Sequence, residues 1–391
     1  MLLPVRINAV AMEKLKRVQV SGFKSIRELD LELGDLTVLI GANGSGKSNF
    51  VDFFNMLSFM LTESLQLYVG RHGGGSSILH YGPKRSPILR AELDFLDDRG
   101  TSEYGFTLAF ASPDGLLFTD EHLGFRYVER VKPFEAVLGA GHFEAKLVDL
   151  GRNPGQMGAT ARKVSRIFVT RLRELRVYHF HDTSEQAYIR TKQDIDRNRD
   201  LMSNGGNLAS FLHMLGYAWP HHYERIITTI RVAVPFLQGV VLEPDRIDPS
   251  RVQLRWTDRN PDYEFGPHQL SDGSLRAIAL ITALMQPDDL LPSVIFIDEP
   301  ELGLHPSAVG LIGSLIKAVS AKRQVVVATQ SPRLLAEFSP EDVVVVERHE
   351  DEKGYGESKF KRLTREELGA WLDDYDLGAL YEMNVTGGGP Q

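Results

Sequence analysis

Apolar and polar positions alternate with a period of two along residues 14–41. There "KLKRVQV", "RELDLEL" and "TVLIG" read as short strands. The third runs into a glycine-rich loop and then a strongly apolar helix over about residues 47–66. "VGRHGGGSS" (69–77) reads as a flexible loop. Residues 87–130 return to strand patterns, with turns marked by Asp97-Asp98 and Pro113-Asp114. In "ARKVSRIFVTRLRELR" (161–176), Val164, Phe168, Leu172 and Leu175 fall at helical spacing, and "NLASFLHML" and "YERIITTIRVAVPFL" predict two further helices. Two strand-like runs, "GVVLEP" and "RVQLRW", follow. From about residue 271 short apolar runs alternate with helices: "SVIFIDEP", a helix near 306–321, "QVVVATQSP", a short helix, "DVVVVERH". That rhythm predicts a parallel sheet covered on both faces. The last 40 or so residues read as a small helical appendix with a frayed "TGGGPQ" end.

Composition narrows the classes without choosing one. The 391 residues are 42% hydrophobic and 25% charged, with a formal net charge of −8. A dedicated nucleic-acid coat gains no support from that charge, although a local basic patch stays open. There is no cysteine, which excludes thiolate metal sites, disulfides and a cysteine nucleophile. The twelve histidines show no metal-ligand spacing. The longest apolar stretch, "FVDFFNMLSFML", is interrupted by Asp52 and Asn55 and does not reach a membrane span, so a soluble cytoplasmic protein is expected. Residues 1–11 lack a signal-peptide pattern and are expected to be a tail ahead of a more natural start at Met12.

Two motifs carry chemistry. Gly41-Ala42-Asn43-Gly44-Ser45-Gly46-Lys47-Ser48 matches a P-loop, with a strand before it and a helix after. Its glycines let the backbone wrap phosphates, Lys47 is placed for the β- and γ-phosphates of ATP, and Ser48 for Mg²⁺. "VIFIDEP" is a buried strand that delivers Asp298 to its C-terminal end, as a second Mg²⁺ ligand held directly or through water. Glu299 beside it suits a general base acting on water. No base-reading N-K-x-D motif of a GTPase is present, and adjacent Asp-Glu favours hydrolysis over transfer to a small molecule.

A third stretch, "QLSDGSLR" (269–276), is a polar turn at a helix start, suited to an anion. Here the chain resembles ABC-class ATPases of the SMC and RecF type. "VSGFKSI", "GANGSGKSN", "LSDGS" and "IDEPELGLHP" stand in that family's order. The resemblance implies a nucleotide-sandwich homodimer in which Ser271, Gly273 and Ser274 cap ATP held on the partner's P-loop. It implies that Asn49 and Lys24 lie at the nucleotide; a plain surface lysine is the alternative for Lys24. Two positions depart from the pattern. Asp272 replaces a common glycine, so its carboxylate must point away from phosphate. Gln330 stands where a histidine is usual; it can bond a γ-phosphate or its water but cannot carry a proton, which implies slow turnover. The family's glutamine loop has no clear counterpart; Gln66 and Gln156 are candidates by residue type alone.

Within that group the chain is most similar to compact bacterial ATPases related to the overcoming-lysogenization-defect (OLD) proteins, through "RVYHFHDTS", "NGGNLASFL", "DEPELGLHPSA" and "VVVATQSPRLLAEF". A TOPRIM nuclease domain, which OLD nucleases carry after the ATPase, is not expected after "DVVVVERH". Any nuclease or toxin acting with the chain would then be a separate effector.

The resulting expectation is an α/β ABC-type P-loop head: a mixed, largely parallel sheet flanked by helices, an antiparallel β lobe and an inserted helical arm. Its divisions are 12–160, an arm over 161–237, 238–350, and the appendix 351–391. Arg162, Lys163, Arg166, Arg171, Arg173 and Arg176 crowd one helix, fit either to track DNA or to form the wet face of an amphipathic helix. Two functions follow: an ATP-switched dimer controlling an effector in anti-phage defence, or a RecF-like DNA-repair clamp.

Overall fold

The computed structural model describes residues 14–98, 100–127, 133–152, 158–260 and 262–389. The expectations for residues 1–11 and for Gln156 fall outside them.

The chain opens with β1 (Lys14–Phe23), β2 (Ile26–Glu32) and β3 (Leu36–Ile40), then the P-loop helix α1 (Lys47–Met60), α2 (Leu65–Arg71) and α3 (Gly75–Ile78). Three long antiparallel strands follow, β4 (Ile88–Asp97), β5 (Gly100–Ala111) and β6 (Gly115–Tyr127), with β7 (Phe134–Val137) at the edge. Next come α4 (Lys146–Arg152), α5 (Gly158–Arg173), β8 (Leu175–Tyr178), β9 (Gln193–Asp194), α6 (Leu208–Ala218) and α7 (Pro220–Ala233). Three short strands, β10 (Gly239–Val241), β11 (Arg251–Val252) and β12 (Arg255–Thr257), lead to α8 (Asp272–Met285) and β13 (Val294–Asp298). The chain then runs through α9 (Pro306–Ser320), β14 (Gln324–Thr329), α10 (Pro332–Leu335), β15 (Val343–Glu350) and β16 (Gly356–Arg362). It closes with the short helices α11 (Arg365–Leu368), α12 (Trp371–Asp374) and α13 (Leu377–Glu382).

Two six-stranded sheets organise these elements. The antiparallel one has the order β2-β1-β4-β5-β6-β7, and the other runs β16-β15-β3-β14-β13-β8. In the second sheet only the β15–β16 pair is antiparallel. All five residues of β3 and all six of β14 are buried, as central parallel strands covered on both faces require. β4 instead alternates exposed and buried positions, because one face of its sheet meets water.

Successive residues of β13 feed opposite cores. Val294 and Phe296 join the core under α1, α5 and the antiparallel sheet; Ile295 and Ile297 join the core under α6 to α9. Phe54 of α1 stacks on Phe296 with ring centroids 3.9 Å apart. The P-loop helix is thereby clamped to the strand that carries Asp298.

The inserted helices are present but lie down on the body. Phe168 and Leu172 of α5 belong to the α1-side core, β8 lies in the sheet beside β13, and α6 and α7 cover its other face. Residues 161–237 therefore contribute to both hydrophobic cores. Three other expectations need correction. The apolar helix ends at Met60, and residues 61–64 turn before α2. The presumed loop 69–77 contains the end of α2 and the start of α3. The appendix is not all helical: residues 356–362 form β16, whose pairing with β15 extends the sheet.

Candidate functional site

The P-loop joins β3 to α1 at the C-terminal edge of the parallel sheet. Gly46 is the N-cap of α1 with φ of 115°, and a Cβ there would sit 2.0 Å from Ser358 Oγ, so only glycine fits. Ser358 of β16 accounts for the close approach. Its hydroxyl donates to Ser45 O at 2.6 Å and lies 2.7 Å from the Ser25 hydroxyl, and Asn49 Nδ2 donates to that same Ser25 Oγ at 2.7 Å. Ser25 and Ser358 thus brace the loop from behind. Neither stood out in the sequence, because the contact spans 333 positions. Asn49, expected at the nucleotide, belongs to this brace.

Lys47 is buried and donates from Nζ to Gly41 O at 2.6 Å and Ala42 O at 3.1 Å. Burial lowers its pKa, against the attraction of Glu299, Asp298 and Glu301. Asn43, Gly44 and Ser48 face outward. Ser48 Oγ donates to Asp298 Oδ1 at 3.2 Å across 250 residues, so the two expected metal ligands meet. Burial pushes the Asp298 carboxyl up. Glu299 follows at φ of 46°, and its amide donates to Ala328 O of β14 at 2.8 Å. A left-handed backbone at a non-glycine residue costs about 1–3 kcal/mol and persists only where the surroundings enforce it. Gln330, half-buried, follows the last residue of β14.

A nucleotide polyphosphate with Mg²⁺ fits these residues. Ser45 Oγ is buried in the loop without a hydrogen-bond partner among the described residues. Lys47 directs its ammonium at carbonyls of its own loop. The hydroxyl of Ser48 and the carboxylate of Asp298 are the hard oxygen donors that Mg²⁺ prefers.

The site also contains a residue that sequence reasoning missed. His181, just beyond β8, places Nε2 3.1 Å from Asp298 O. Its own carbonyl accepts from Arg276 Nη2 of α8 at 2.9 Å. Its signal was "HFHD" at the end of a short apolar run, legible only once β8 is known to lie beside β13. Gln66 is engaged away from the P-loop: its amide donates to Leu116 O at 3.0 Å and Phe143 O at 2.9 Å.

Lys24 sits in a left-handed turn and pairs with Asp52 of α1 at 2.5 Å, one helical turn beyond Ser48. Burial alone would raise the Asp52 pKa. Lys24, through its charge and its hydrogen bond, together with Tyr68 and Asn55, reverses this and holds the carboxyl below its usual range. Lys24 is thus engaged with the P-loop helix.

At the third motif, Ser271 caps α8 and accepts from Ser274 N at 3.1 Å; the two hydroxyls are 2.8 Å apart. Asp272 is bound at 2.7 Å by Arg190, whose hydrogen bond holds its pKa down. A Cβ on Gly273 would lie 1.9 Å from Gly303 O, so its missing side chain serves packing within the chain. Ser271 is exposed; Ser274 is half-buried. His305 caps α9 through Ser307, a structural role.

The basic helix is divided. Arg171 is buried, bonded to Asp97 at 3.0 Å and to Ser102. Arg176 lies in β8 and pairs with Asp200 at 3.5 Å. Lys163, Arg166 and Arg173 are exposed, and Arg162 is half-buried. A D-x-D spacing lies after β15, at Asp374-Tyr375-Asp376, and Asp376 caps α13 through Ala379 N at 2.8 Å.

A family model described as "AAA domain, putative AbiEii toxin, Type IV TA system" matches residues 36–127 and 163–336. No curated protein matches. Among solved structures, an SMC head bound to the C-winged helix domain of ScpA is 15% identical, with 90% of this chain and 98% of that one covered at a TM-score of 0.57. An SMC head with an extended coiled coil, bound to the C-terminal domain of ScpA from Pyrococcus furiosus, is 15% identical over 93% and 99% at 0.52. An SMC head with a coiled coil and joint from Pyrococcus yayanosii is 12% identical over 93% and 99% at 0.50. At these identities the likeness is one of fold. Among the described residues, no helix is long and apolar enough to cross a membrane.

Proposed function

Because this chain belongs to the AAA-domain family whose description links it to the AbiEii toxin of type IV toxin–antitoxin systems, we propose that it is a Mg²⁺-dependent ATPase that closes as a nucleotide-sandwich homodimer. In this reading the dimer controls a separate effector, a TOPRIM-like nuclease or a toxin, in anti-phage defence. The observation that carries the ATPase reading is the meeting of Ser48 and Asp298 at 3.2 Å, with Lys47 and Glu299 beside them.

Bound Mg²⁺–ATP supplies the phosphoanhydride bond and the cation that offsets its charge. The chain's own part is positional. Gly41, Ala42, Asn43, Gly44, Ser45 and Gly46 provide backbone amides and the free Ser45 hydroxyl; Lys47 provides a cation whose burial strengthens its field. Ser48 and Asp298 would hold the metal. Glu299 accepts a proton from water, and Gln330 orients that water without titrating. Ser271 and Ser274, at the positive end of α8, address the partner's nucleotide.

One observation keeps the DNA-clamp reading in view: Lys163, Arg166 and Arg173 remain exposed on α5. The burial of Arg171 removes one charge from that patch. Affinity capture from the native host with ATP present separates the two. A stoichiometric nuclease-like or toxin-like partner, lost with Lys47→Ala, is the expected outcome. Recovery of DNA and repair factors alone would favour the clamp.

A further inference from the structure

Glu301 is a buried carboxyl to which the scheme above gives no task. It lies three residues after Asp298, in the turn between β13 and α9. Its Oε1 accepts from Thr329 Oγ1 at 2.7 Å and from the Gln330 amide at 3.3 Å. The Thr329 hydroxyl in turn accepts from Ser331 N at 2.9 Å. The carboxyl and the hydroxyl together therefore fix the backbone on both sides of Gln330. Its second oxygen, Oε2, is buried and has no hydrogen-bond partner among the described residues. Burial, with a smaller contribution from Glu299, pushes this carboxyl up. An interior acid with one oxygen unpaired is a costly resident, retained where its geometry is needed.

The same turn faces the third motif. Gly303 O presses on Gly273, and Arg276 Nη1 of α8 donates to Leu302 O at 3.2 Å. Glu301 thus stands between the residue after β14 and the turn that packs on the start of α8.

We propose that Glu301 is a positioning residue for ATP hydrolysis: through Thr329 and the Gln330 amide it holds Gln330 at the reacting end of the nucleotide. It also ties that placement to the turn beneath Ser271. This rests on the reading of Gln330 as the group that orients water.

The test compares ATPase kinetics and nucleotide affinity of Glu301→Ala, Glu301→Gln, Gln330→Ala and the Glu301→Ala/Gln330→Ala double variant. Glu301→Ala is expected to lower kcat by roughly tenfold or more, with nucleotide Kd changed less than about twofold. Glu301→Gln keeps the Oε1 acceptor and should restore most of the rate. In the Gln330→Ala background, Glu301→Ala should cost nothing further, because the two act through one group. Wild-type kcat in Glu301→Ala, or losses that multiply in the double variant, would overturn the proposal while leaving the ATPase reading intact. A wild-type protein that binds ATP without hydrolysing it would overturn both. If thermal melts show Glu301→Ala to be misfolded, Thr329→Val removes the donor hydroxyl and carries the same prediction; wild-type kcat in that variant likewise overturns the proposal.

Discussion

At the residue scale the site combines groups that water would keep apart. Lys47 and Asp298 each give up part of their hydration, and each is shifted by burial toward its neutral form. Asp52 shows the opposite balance, with Lys24, Tyr68 and Asn55 outweighing burial. Its folded-state pKa lies below its unfolded value. The stability it contributes is therefore fully present above the usual carboxylate range and is lost as pH falls through the folded value. Asp52→Asn should remove that part of the acid dependence: wild type and variant melting temperatures should differ most near neutrality and converge in strong acid. A constant difference across that pH range would show that the Lys24 pair does not supply it. The residues of the P-loop and of the Asp298-Glu299 pair were legible in sequence because their neighbours in space are neighbours in the chain. Ser25, Ser358 and His181 were not, since each reaches the site only through strand pairing.

At the element scale, what the sequence left open was where helices rest. The period of α5 located its buried stripe, Val164, Phe168 and Leu172, but not its partner. The partner is the antiparallel sheet, and the contact draws Arg171 inward to Asp97, with side chains only 6% and 2% exposed. An arginine in a basic run looks like a surface charge until a carboxylate 74 positions away is folded against it. Removing one member of such a pair leaves a buried charge uncompensated. Arg171→Ala should therefore destabilise the protein by about 3–5 kcal/mol in denaturant unfolding. A loss within the range of an exposed pair, below about 1 kcal/mol, would return Arg171 to the surface patch. β16 illustrates the same limit. Its charged sequence fell within the expected helical appendix, yet it forms the edge strand beside β15 and places Ser358 under the P-loop.

At the scale of the whole molecule, the parallel sheet brings the P-loop, Asp298, Gln330 and His181 to one edge. The third motif is held near that edge by its own chain, through Arg276, Gly303 and Arg190. Ser271 makes its hydrogen bonds to Ser274 of its own helix and leaves its exposed side toward solvent. That arrangement suits a surface completed by a second copy, which is the central claim. Its most direct test is sedimentation of Glu299→Gln, alone and combined with Ser271→Arg, with and without Mg²⁺–ATP. The account predicts that Glu299→Gln becomes a dimer only when ATP is present. The Ser271→Arg combination should still bind ATP yet remain a monomer. A Glu299→Gln protein that stays monomeric at saturating ATP, or a dimer indifferent to Ser271→Arg, would contradict it.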